Sequence, residues 1–366
     1  MMNKSLKPVL ALSIIFIGIS CSKQTPELPP EDPTPKNIIL LIGDGMGLSQ
    51  VSTAFFYQEK DPNFQRFETV GLIKTSSSAQ KITDSAAGAT AFSAGVKTYN
   101  GAIGVNPDTV SVETIVEIAS AKGMKTGLIA TSSITHATPA SFFAHVKLRG
   151  MQDEIAAWMP KSGVDYFAGG GLKYFNQRKD EIDYIKKLEE NGFVIDTTAL
   201  VTTAQLKKDK KYGYLLAADG MPKISEGRGD FLPNATSQAL SYLSQSEEGF
   251  FLMVEGSQID WGGHANDADY IINEVLDFDK TLGVALDFAE REGNTLVVVT
   301  ADHETGGLTL ASGDGYNDIK PSFSTGGHSA TLIPVFAHGP GSDKFTGTYE
   351  NTEIFHKMIN SLVKSE

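Results

Sequence analysis

Cysteine is nearly absent from this chain, in which Cys21 is the only one among 366 residues. No internal disulfide can therefore form, and the 41% of residues that are hydrophobic must supply the core. Positive charge is scarce as well, since 31 Lys and Arg stand against 44 Asp and Glu, for a formal net charge of −13. A field of this sign repels anions at long range, so an anionic ligand would have to be bound by local positive charge.

Long apolar runs are missing too. The run from Val9 to Ile19 is too short for a comfortable membrane span, and Lys4 and Lys7 precede it. A basic start followed by a short apolar stretch predicts a signal peptide over residues 1–20.

The next residues predict an anchor and a tether. Cys21 stands where a lipoprotein signal peptidase would leave a lipid-modified N-terminal cysteine, so we expect lipidation there. Simple signal cleavage is the alternative, because Gly18 is atypical at the third position before such a cysteine. Residues 21–36 are otherwise proline-rich without an apolar period, which predicts an extended tether. Residues 37–366 remain as a single large domain.

Apolar runs of strand length predict the fold. They are Asn37–Gly43, Phe250–Val254 and Thr295–Thr300, with further strand candidates at Thr126–Thr131 and Pro334–His338. Helical patterns are interleaved with them at Ser111–Lys122, Asp180–Asn191, Thr236–Ser246 and Asp267–Glu290. Buried strands alternating with helices predict an α/β domain whose central sheet is mostly parallel and is flanked by helices.

Potential metal ligands follow three of these runs. They are Asp44 after the first, Glu255, Asp260 and His264 after the second, and Asp302 and His303 after the third. Since ligands gather beyond the carboxyl ends of strands in open α/β sheets, we expect these side chains to converge there. His328, in a glycine-rich loop, adds an imidazole. Mixed carboxylates and imidazoles suit zinc, whereas oxygen-only sets suit magnesium.

The segment Thr83–Ala91 reads as the start of a helix, with Ser85 in its first turn. Unpaired backbone N–H groups at a helix N-terminus suit a phosphate-like oxyanion. Taken alone, the segment favours an ordinary capped helix, and the metal-ligand pattern elsewhere in the chain favours the anion site.

Several long motifs together resemble those of the bacterial alkaline phosphatases. They are GDGMG from Gly43, TDSAAGATAFSAGVKTYNGAIG from Thr83, THATPASFFAHVKLR from Thr135, VEGSQIDWGGHAND from Val254, TADHETGG from Thr300 and GGHSA from Gly326. The similarity runs from Lys36 to the C-terminal helix, and the chain closely resembles the compact enzymes of marine and cold-adapted bacteria.

The resemblance implies hydrolysis of phosphate monoesters with two Zn²⁺ and one Mg²⁺ per subunit. Ser85 would be the nucleophile that is transiently phosphorylated, and Arg149 would grip two phosphate oxygens through its planar fork. The implied ligands are Asp260, His264 and His328 for one zinc, Asp302, His303 and Asp44 for the second, and Asp44, Thr138 and Glu255 for the magnesium.

Two positions depart from the enteric-type pattern. His136 stands where many members have an aspartate near the third metal, and Trp261 stands where many have a lysine that reaches phosphate through water. These departures bear on phosphate affinity and on the metal preferred at the third site. The short segment between His303 and His328 leaves little room for the large insert that some relatives carry there.

The resemblance also implies partners and location. We expect small phosphate monoesters as substrates, a homodimer, no specific nucleic acid, and membrane contact only through the N-terminal lipid anchor. The protein would be exported to the bacterial cell envelope, as a periplasmic or outer-membrane-anchored lipoprotein.

Three alternative functions would explain part of this sequence pattern. A phosphodiesterase or sulfatase of the same superfamily would share the metal ligands, but the sequence has no Cys-x-Pro-x-Arg sulfatase signature. A non-catalytic phosphate-binding lipoprotein would tolerate loss of Ser85 or a zinc ligand, yet every expected position is filled. A Ser-His-Asp hydrolase is disfavoured because the Gly-x-Ser-x-Gly elbow is absent.

Overall fold

The computed structural model describes residues 34–362. The predicted signal peptide and Cys21 lie outside the described residues. Within that range the strands are β1 Asn37–Gly43, β2 Thr69–Lys74, β3 Lys125–Ser133, β4 Tyr166–Gly170, β5 Phe193–Asp196, β6 Lys211–Leu215, β7 Phe250–Gly256, β8 Thr295–Thr300, β9 Glu304–Thr305, β10 Thr309–Ser312, β11 Ile319–Ser322, β12 His328–Ser329, β13 Ile333–His338 and β14 Gly347–Glu350.

Helices connect and cover these strands. The α-helices are α1 Leu48–Phe56, α2 Ser85–Ala94, α3 Ile115–Ala121, α4 Ala137–Ala140, α5 Gln152–Ala156, α6 Lys173–Asn176, α7 Tyr184–Glu190, α8 Phe231–Leu243, α9 Gln258–Ala265, α10 Ala268–Glu292 and α11 Thr352–Leu362. Single turns of 3₁₀-helix occur at Asn63–Arg66, Met159–Lys161, Thr203–Gln205, Ile224–Glu226 and Ser342–Phe345. No helix of the described residues is both long enough and apolar enough to cross a bilayer.

A ten-stranded sheet forms the centre of the molecule, in the order β14-β2-β13-β8-β1-β7-β3-β4-β6-β5. Strand β13 runs antiparallel to β2 and β8, and the other neighbouring pairs of this sheet are parallel. Strands β1, β7 and β8 are buried along their whole length, as expected of parallel strands covered on both faces. The predicted α/β fold with a mostly parallel sheet is confirmed.

Two groups of helices flank the sheet. Helices α8 and α10 pack against each other and against β7, while α2 packs against α3, α4 and α11. The core between helices and sheet is apolar, and Leu40, Phe251 and Val298 are fully buried in it. The sheet therefore provides a rigid base for the loops that leave the carboxyl ends of its strands.

Three predicted helix starts were wrong, each by four or five residues. The Ser111–Lys122 pattern begins as a helix only at Ile115, because Thr114 and Glu117 form a capping box that fixes the first turn. The Thr236–Ser246 pattern begins earlier, at Phe231, since Pro233 is tolerated in a first turn where its missing N–H costs nothing.

Helix α7 has the third displaced start, and the remaining boundaries lie closer to expectation. Helix α7 starts at Tyr184 rather than Asp180, because the Asp183 carboxylate accepts from the N–H groups of Ile185 and Lys186. Helix α10, predicted at Asp267–Glu290, and strands β3 and β13 match their patterns within two residues.

Candidate active site and metal centre

The carboxyl ends of four adjacent strands, β8, β1, β7 and β3, carry the polar residues that the sequence singled out. Asp44 follows β1, Glu255 lies near the end of β7, and Asp302 and His303 follow β8. All four side chains are fully buried. The parallel register, which places Ile42 opposite both Glu255 and Thr300, brings these strand ends to one level of the sheet.

Helix α9 and strand β12 form the first group of potential ligands: Asp260, His264 and His328. Asp260 Oδ1 lies 3.4 Å from His264 Nε2 and 3.7 Å from His328 Nε2. One helical turn separates Asp260 from His264, so both project to the same side. In each imidazole, Nδ1 contacts a backbone carbonyl at 2.8 Å. His264 contacts the carbonyl of Gly326, and His328 contacts that of Thr83. If Nδ1 carries the proton, Nε2 is free to bind a metal.

A second group contains Asp44, Asp260 and His303 beside the serine. His303 Nε2 lies 3.3 Å from Ser85 Oγ and 3.6 Å from Asp44 Oδ1. Asp302, expected in this set, presents Oδ2 at 3.2 Å from the same Nε2. The structure thus gathers Ser85 with all three expected ligands and adds Asp260, which the sequence placed with the first group alone.

The third group consists of Asp44, His136 and Glu255. Thr138, which the sequence placed here, lies beside the group with Oγ1 3.5 Å from Asp44 Oδ2. Glu255 Oε2 accepts from Ser257 Oγ at 2.6 Å, while its Oε1 is buried with no hydrogen-bond partner among the described residues. His136 Nδ1 is likewise buried and unpartnered there, so this group combines two carboxylates, a hydroxyl and an imidazole.

The electrostatics of these groups favour bound cations. Burial, together with the charges of Asp302, Asp260 and Glu255, raises the pKa of Asp44 well above its usual value. Burial also raises the pKa of Glu255 to about 7 and that of Asp302 in the same direction. Because buried carboxylates repel one another, divalent cations would stabilise their ionised forms.

Two imidazoles of the centre, those of His303 and His136, are held neutral, which is the form that binds metals. Burial, followed by the nearby His328, lowers the pKa of His303 to about 3. Desolvation, followed by the charge of Arg149, lowers the pKa of His136 to about 3. The unpartnered Oδ2 of Asp302 adds a buried oxygen for a cation. The donor chemistry of the centre therefore fits zinc and magnesium.

Ser85 is the first residue of α2, and Asp84 caps that helix. The Asp84 carboxylate accepts from the N–H groups of Ala87 and Gly101 and forms an ion pair with Arg149 at 3.0 Å. Arg149 also places Nη2 3.2 Å from His136 Nε2, and its side chain is 31% exposed. An accessible guanidinium thus lies next to a helix N-terminus, an arrangement suited to an anion.

Trp261 and His136, the two residues that depart from the enteric-type pattern, are neighbours in the structure. The Trp261 ring meets the His136 ring edge-on at 6.1 Å between centroids. Gly220 lies against the indole, where an added Cβ would come within 2.6 Å of Trp261 Cη2. The tryptophan therefore occupies space close to His136 and, through it, to Arg149.

Three residues make contacts at the centre that the sequence did not predict. Ser257 orients Glu255, Asp84 holds Arg149 in addition to capping α2, and Thr305 contacts Asp260. Their positions in the motifs could have indicated them, since each lies one or two residues from a predicted site residue. His145 does not belong to the centre, since its ring contacts Gly104 O and Glu117 Oε1.

Comparison with known proteins decides the family. The model of the alkaline phosphatase family matches residues 35–321. Alkaline phosphatase 3 of Bacillus subtilis is 33% identical over 98% of this chain and 97% of its own length. Alkaline phosphatase of Escherichia coli is 32% identical over 90% of this chain and 87% of its own. The chain belongs to the alkaline phosphatase family.

Solved structures agree with this membership. The alkaline phosphatase of the Antarctic bacterium TAB5 is 56% identical, with a TM-score of 0.89 over 90% of this chain and 98% of the other. A variant of that enzyme with a histidine replaced by aspartate has been solved with Mg bound in its M3 site. This protein is accordingly a metal-dependent hydrolase of the alkaline phosphatase type.

Proposed function

We propose that this alkaline phosphatase hydrolyses phosphate monoesters through a phosphoserine intermediate at Ser85. The observation that carries the proposal is the position of its Oγ, buried at the N-terminus of α2 and 3.3 Å from His303 Nε2. Few environments bring a hydroxyl, a helix N-terminus and a cluster of carboxylates and imidazoles together, and phosphoryl transfer uses all of them.

Each residue has a defined task in this proposal. Arg149 binds two oxygens of the phosphoryl group, and the N–H groups of the first turn of α2 face the same charge. Ser85 Oγ attacks phosphorus as the ester oxygen departs, which forms phosphoserine and releases the alcohol. Water then attacks the phosphorus of phosphoserine, and cleavage of the P–Oγ bond releases inorganic phosphate and restores the Ser85 hydroxyl. Because the protein contacts mainly the phosphoryl group, alcohols of many shapes should be accepted.

We assign two Zn²⁺ and one Mg²⁺ to the centre. The zinc ligands are Asp260, His264 and His328 for one ion, and Asp44, Asp302 and His303 for the other. Asp44, Thr138 and Glu255 would hold magnesium, and His136 lies with this group. When bound, such ions supply Lewis-acid stabilisation of charge on the entering and leaving oxygens. The Antarctic relative's variant with Mg in its M3 site supports a third site of adjustable metal preference.

Replacing Ser85 with alanine tests the nucleophile. We expect Ser85→Ala to fold and to keep its metals while losing more than about 100-fold in kcat, since covalent catalysis is removed. No acid-stable labelled phosphoenzyme should form in this variant. Undiminished labelling with radioactive phosphate would place the nucleophile elsewhere.

Substrate comparison separates the rival functions. Hydrolysis of p-nitrophenyl phosphate should far exceed that of its bis ester and of p-nitrophenyl sulfate, because Ser85 and Arg149 suit a terminal phosphoryl group. A preference for the diester or the sulfate would favour the phosphodiesterase or sulfatase alternative. Phosphate binding without hydrolysis of any of the three would favour the non-catalytic lipoprotein.

We also propose export, lipidation and dimerisation. Residues 1–20 and Cys21 support a lipoprotein of the bacterial cell envelope, on sequence pattern alone. Mass spectrometry of the mature N-terminus would detect diacylglycerol on Cys21, whereas an unmodified cleaved end would indicate simple secretion.

Light scattering of the purified protein should give twice the chain mass if the family's homodimer forms.

A further inference from the structure

The hydroxyl of Thr305 connects two residues that belong to different parts of the metal centre. Thr305 is fully buried, and its Oγ1 donates to Asp260 Oδ1 at 2.5 Å while lying 3.2 Å from His303 Nδ1. A hydroxyl has a single proton. Once that proton is donated to Asp260, the oxygen can only accept from the imidazole. Nδ1 of His303 is then the protonated nitrogen.

This assignment fixes the reactive side of the imidazole. With the proton on Nδ1, His303 Nε2 carries a free lone pair, and this is the atom that lies 3.3 Å from Ser85 Oγ. The opposite tautomer would leave Thr305 facing two acceptors with one proton, and would point an N–H into the centre. The contact therefore selects the metal-binding form of His303.

The backbone of Thr305 is anchored on both sides. Its N–H donates to Gly45 O at 3.1 Å, and its carbonyl accepts from Gln50 Nε2 at 2.9 Å. Gly45 has a φ of +72°, and a Cβ there would come within 2.7 Å of Thr305 Oγ1. The loop after β1 is thus shaped to admit this side chain, which holds the hydroxyl in place before any ligand arrives.

The preceding residue strengthens the same anchor from the opposite face of β9. Glu304 accepts from Gln50 Nε2 at 2.8 Å and from Leu308 N at 3.0 Å, and Ser329 Oγ also donates to it. Because successive strand residues point to opposite faces, Glu304 ties β9 to α1 and β12 while Thr305 faces the metal centre.

We infer that Thr305 is a positioning residue that orients Asp260 and His303 together for metal binding. Asp260 belongs to the group with His264 and His328 as well as to the group with Asp44 and His303. One hydroxyl therefore acts on the sites of both zinc ions. The inference rests on the metal-dependent function proposed above and extends it to a residue outside the ligand set.

Zinc titration of the metal-stripped full chain tests the inference. Thr305→Val keeps the shape and removes the hydroxyl, so zinc affinity at both sites should fall by about 10- to 100-fold, as is usual when a residue that orients ligands is lost. Thr305→Ser keeps the hydroxyl and should stay within about threefold of the wild type. Magnesium affinity should change little in either variant, because Glu255 and Thr138 do not contact Thr305.

A matched control removes another buried threonine hydroxyl. Thr236 in α8 is fully buried, and its hydroxyl donates to Leu232 O of the same helix at 2.8 Å. Thr236→Val should leave zinc affinity unchanged even if it lowers the melting temperature. Circular dichroism checks that every variant folds.

Nitrogen-15 NMR of the metal-free proteins gives a second readout that does not depend on metal affinity. The His303 signals, assigned by comparison with His303→Gln, should report protonated Nδ1 in the wild type and in Thr305→Ser. They should report a mixture of tautomers in Thr305→Val.

The possible failures are distinguishable. Equal zinc affinity in the wild type and Thr305→Val, or equal loss in Thr305→Ser and Thr305→Val, would overturn the role of the hydroxyl. A wild-type protein that binds no zinc would instead contradict the proposed function itself.

Discussion

Trp261 is the residue at which this chain departs most visibly from the enteric-type pattern near the phosphate site. Its ring contacts His136, and His136 in turn lies 3.2 Å from Arg149. A side chain at position 261 is therefore close enough to alter the electrostatics of a bound anion, although the native indole carries no charge.

A lysine at position 261 should tighten the binding of inorganic phosphate. Trp261→Lys adds a cation close to Arg149, and we expect the inhibition constant for phosphate to fall about tenfold, equivalent to ~1.4 kcal/mol. If product release limits turnover, kcat at alkaline pH should fall as well. Inhibition constants are to be measured at fixed pH and ionic strength.

Trp261→Met is the control for the lost ring, because methionine has nearly the length of lysine without its charge. An equal gain in phosphate affinity for both variants would show that removing the indole, and not adding a cation, is responsible.

Helix α2 is the element on which the chemistry depends, and Asp84 serves it in two ways. The carboxylate caps the helix through Ala87 N and fixes Arg149 through the ion pair. A single side chain thus sets both the start of the helix, hence the position of Ser85, and the direction of the guanidinium.

The two tasks of Asp84 can be separated by substitution. Asp84→Asn keeps an acceptor for the cap but loses the charge that holds Arg149, so phosphate should bind severalfold more weakly at nearly unchanged stability. Asp84→Ala should lose the cap as well and cost about 1 kcal/mol in the free energy of unfolding. Urea unfolding and phosphate inhibition measure the two effects. Wild-type phosphate affinity in Asp84→Asn would contradict the positioning of Arg149 by this pair.

At the scale of the whole molecule, the buried carboxylates make the metal-free fold sensitive to pH. Burial raises the pKa of Glu255 from 4.5 to about 7, and the pKa values of Asp44 and Asp302 are raised as well. Between pH 4.5 and about pH 7, Glu255 therefore keeps its proton in the folded state but has released it in the unfolded state. These carboxyl groups therefore contribute their full stability below about pH 4.5 and lose it as pH rises through about 7, whereas His303 and His136, whose pKa is lowered from 6.5 to about 3, contribute stability that is lost as pH falls below 6.5.

Chelated protein should show this loss directly. Relative to Glu255→Gln, the free energy of unfolding of the wild type in urea should fall as pH rises from 5 to 7, by on the order of 3 kcal/mol, because the comparison removes the opposite effect of the buried histidines. Zinc and magnesium should restore stability most strongly at the higher pH, since ions bind the ionised carboxylates. In Glu255→Gln the decline should be shallower. Parallel pH profiles for the metal-free wild type and Glu255→Gln would show that Glu255 ionises without cost.

Much of the fold and the site could be predicted from the sequence, for local reasons. The apolar runs that precede Asp44, Glu255 and Asp302 in the sequence predict parallel strands. Ligands beyond the carboxyl ends of such strands must lie close together when the strands are neighbours. The helix start at Ser85 follows from the Asp84 cap and the small residues after it. These features depend on patterns within about ten residues, which the sequence displays directly.

Tertiary structure decided what depends on contacts between distant segments. The order β8-β1-β7-β3 sets which strand ends are adjacent, and strand pairing is not encoded in any one run. The pairing of β12 with β9 brings His328 opposite Thr305, and only then does the Thr305 hydroxyl lie between Asp260 and His303. The sequence by itself determined which residue types are available, whereas packing of the sheet and its loops decided which atoms share a proton.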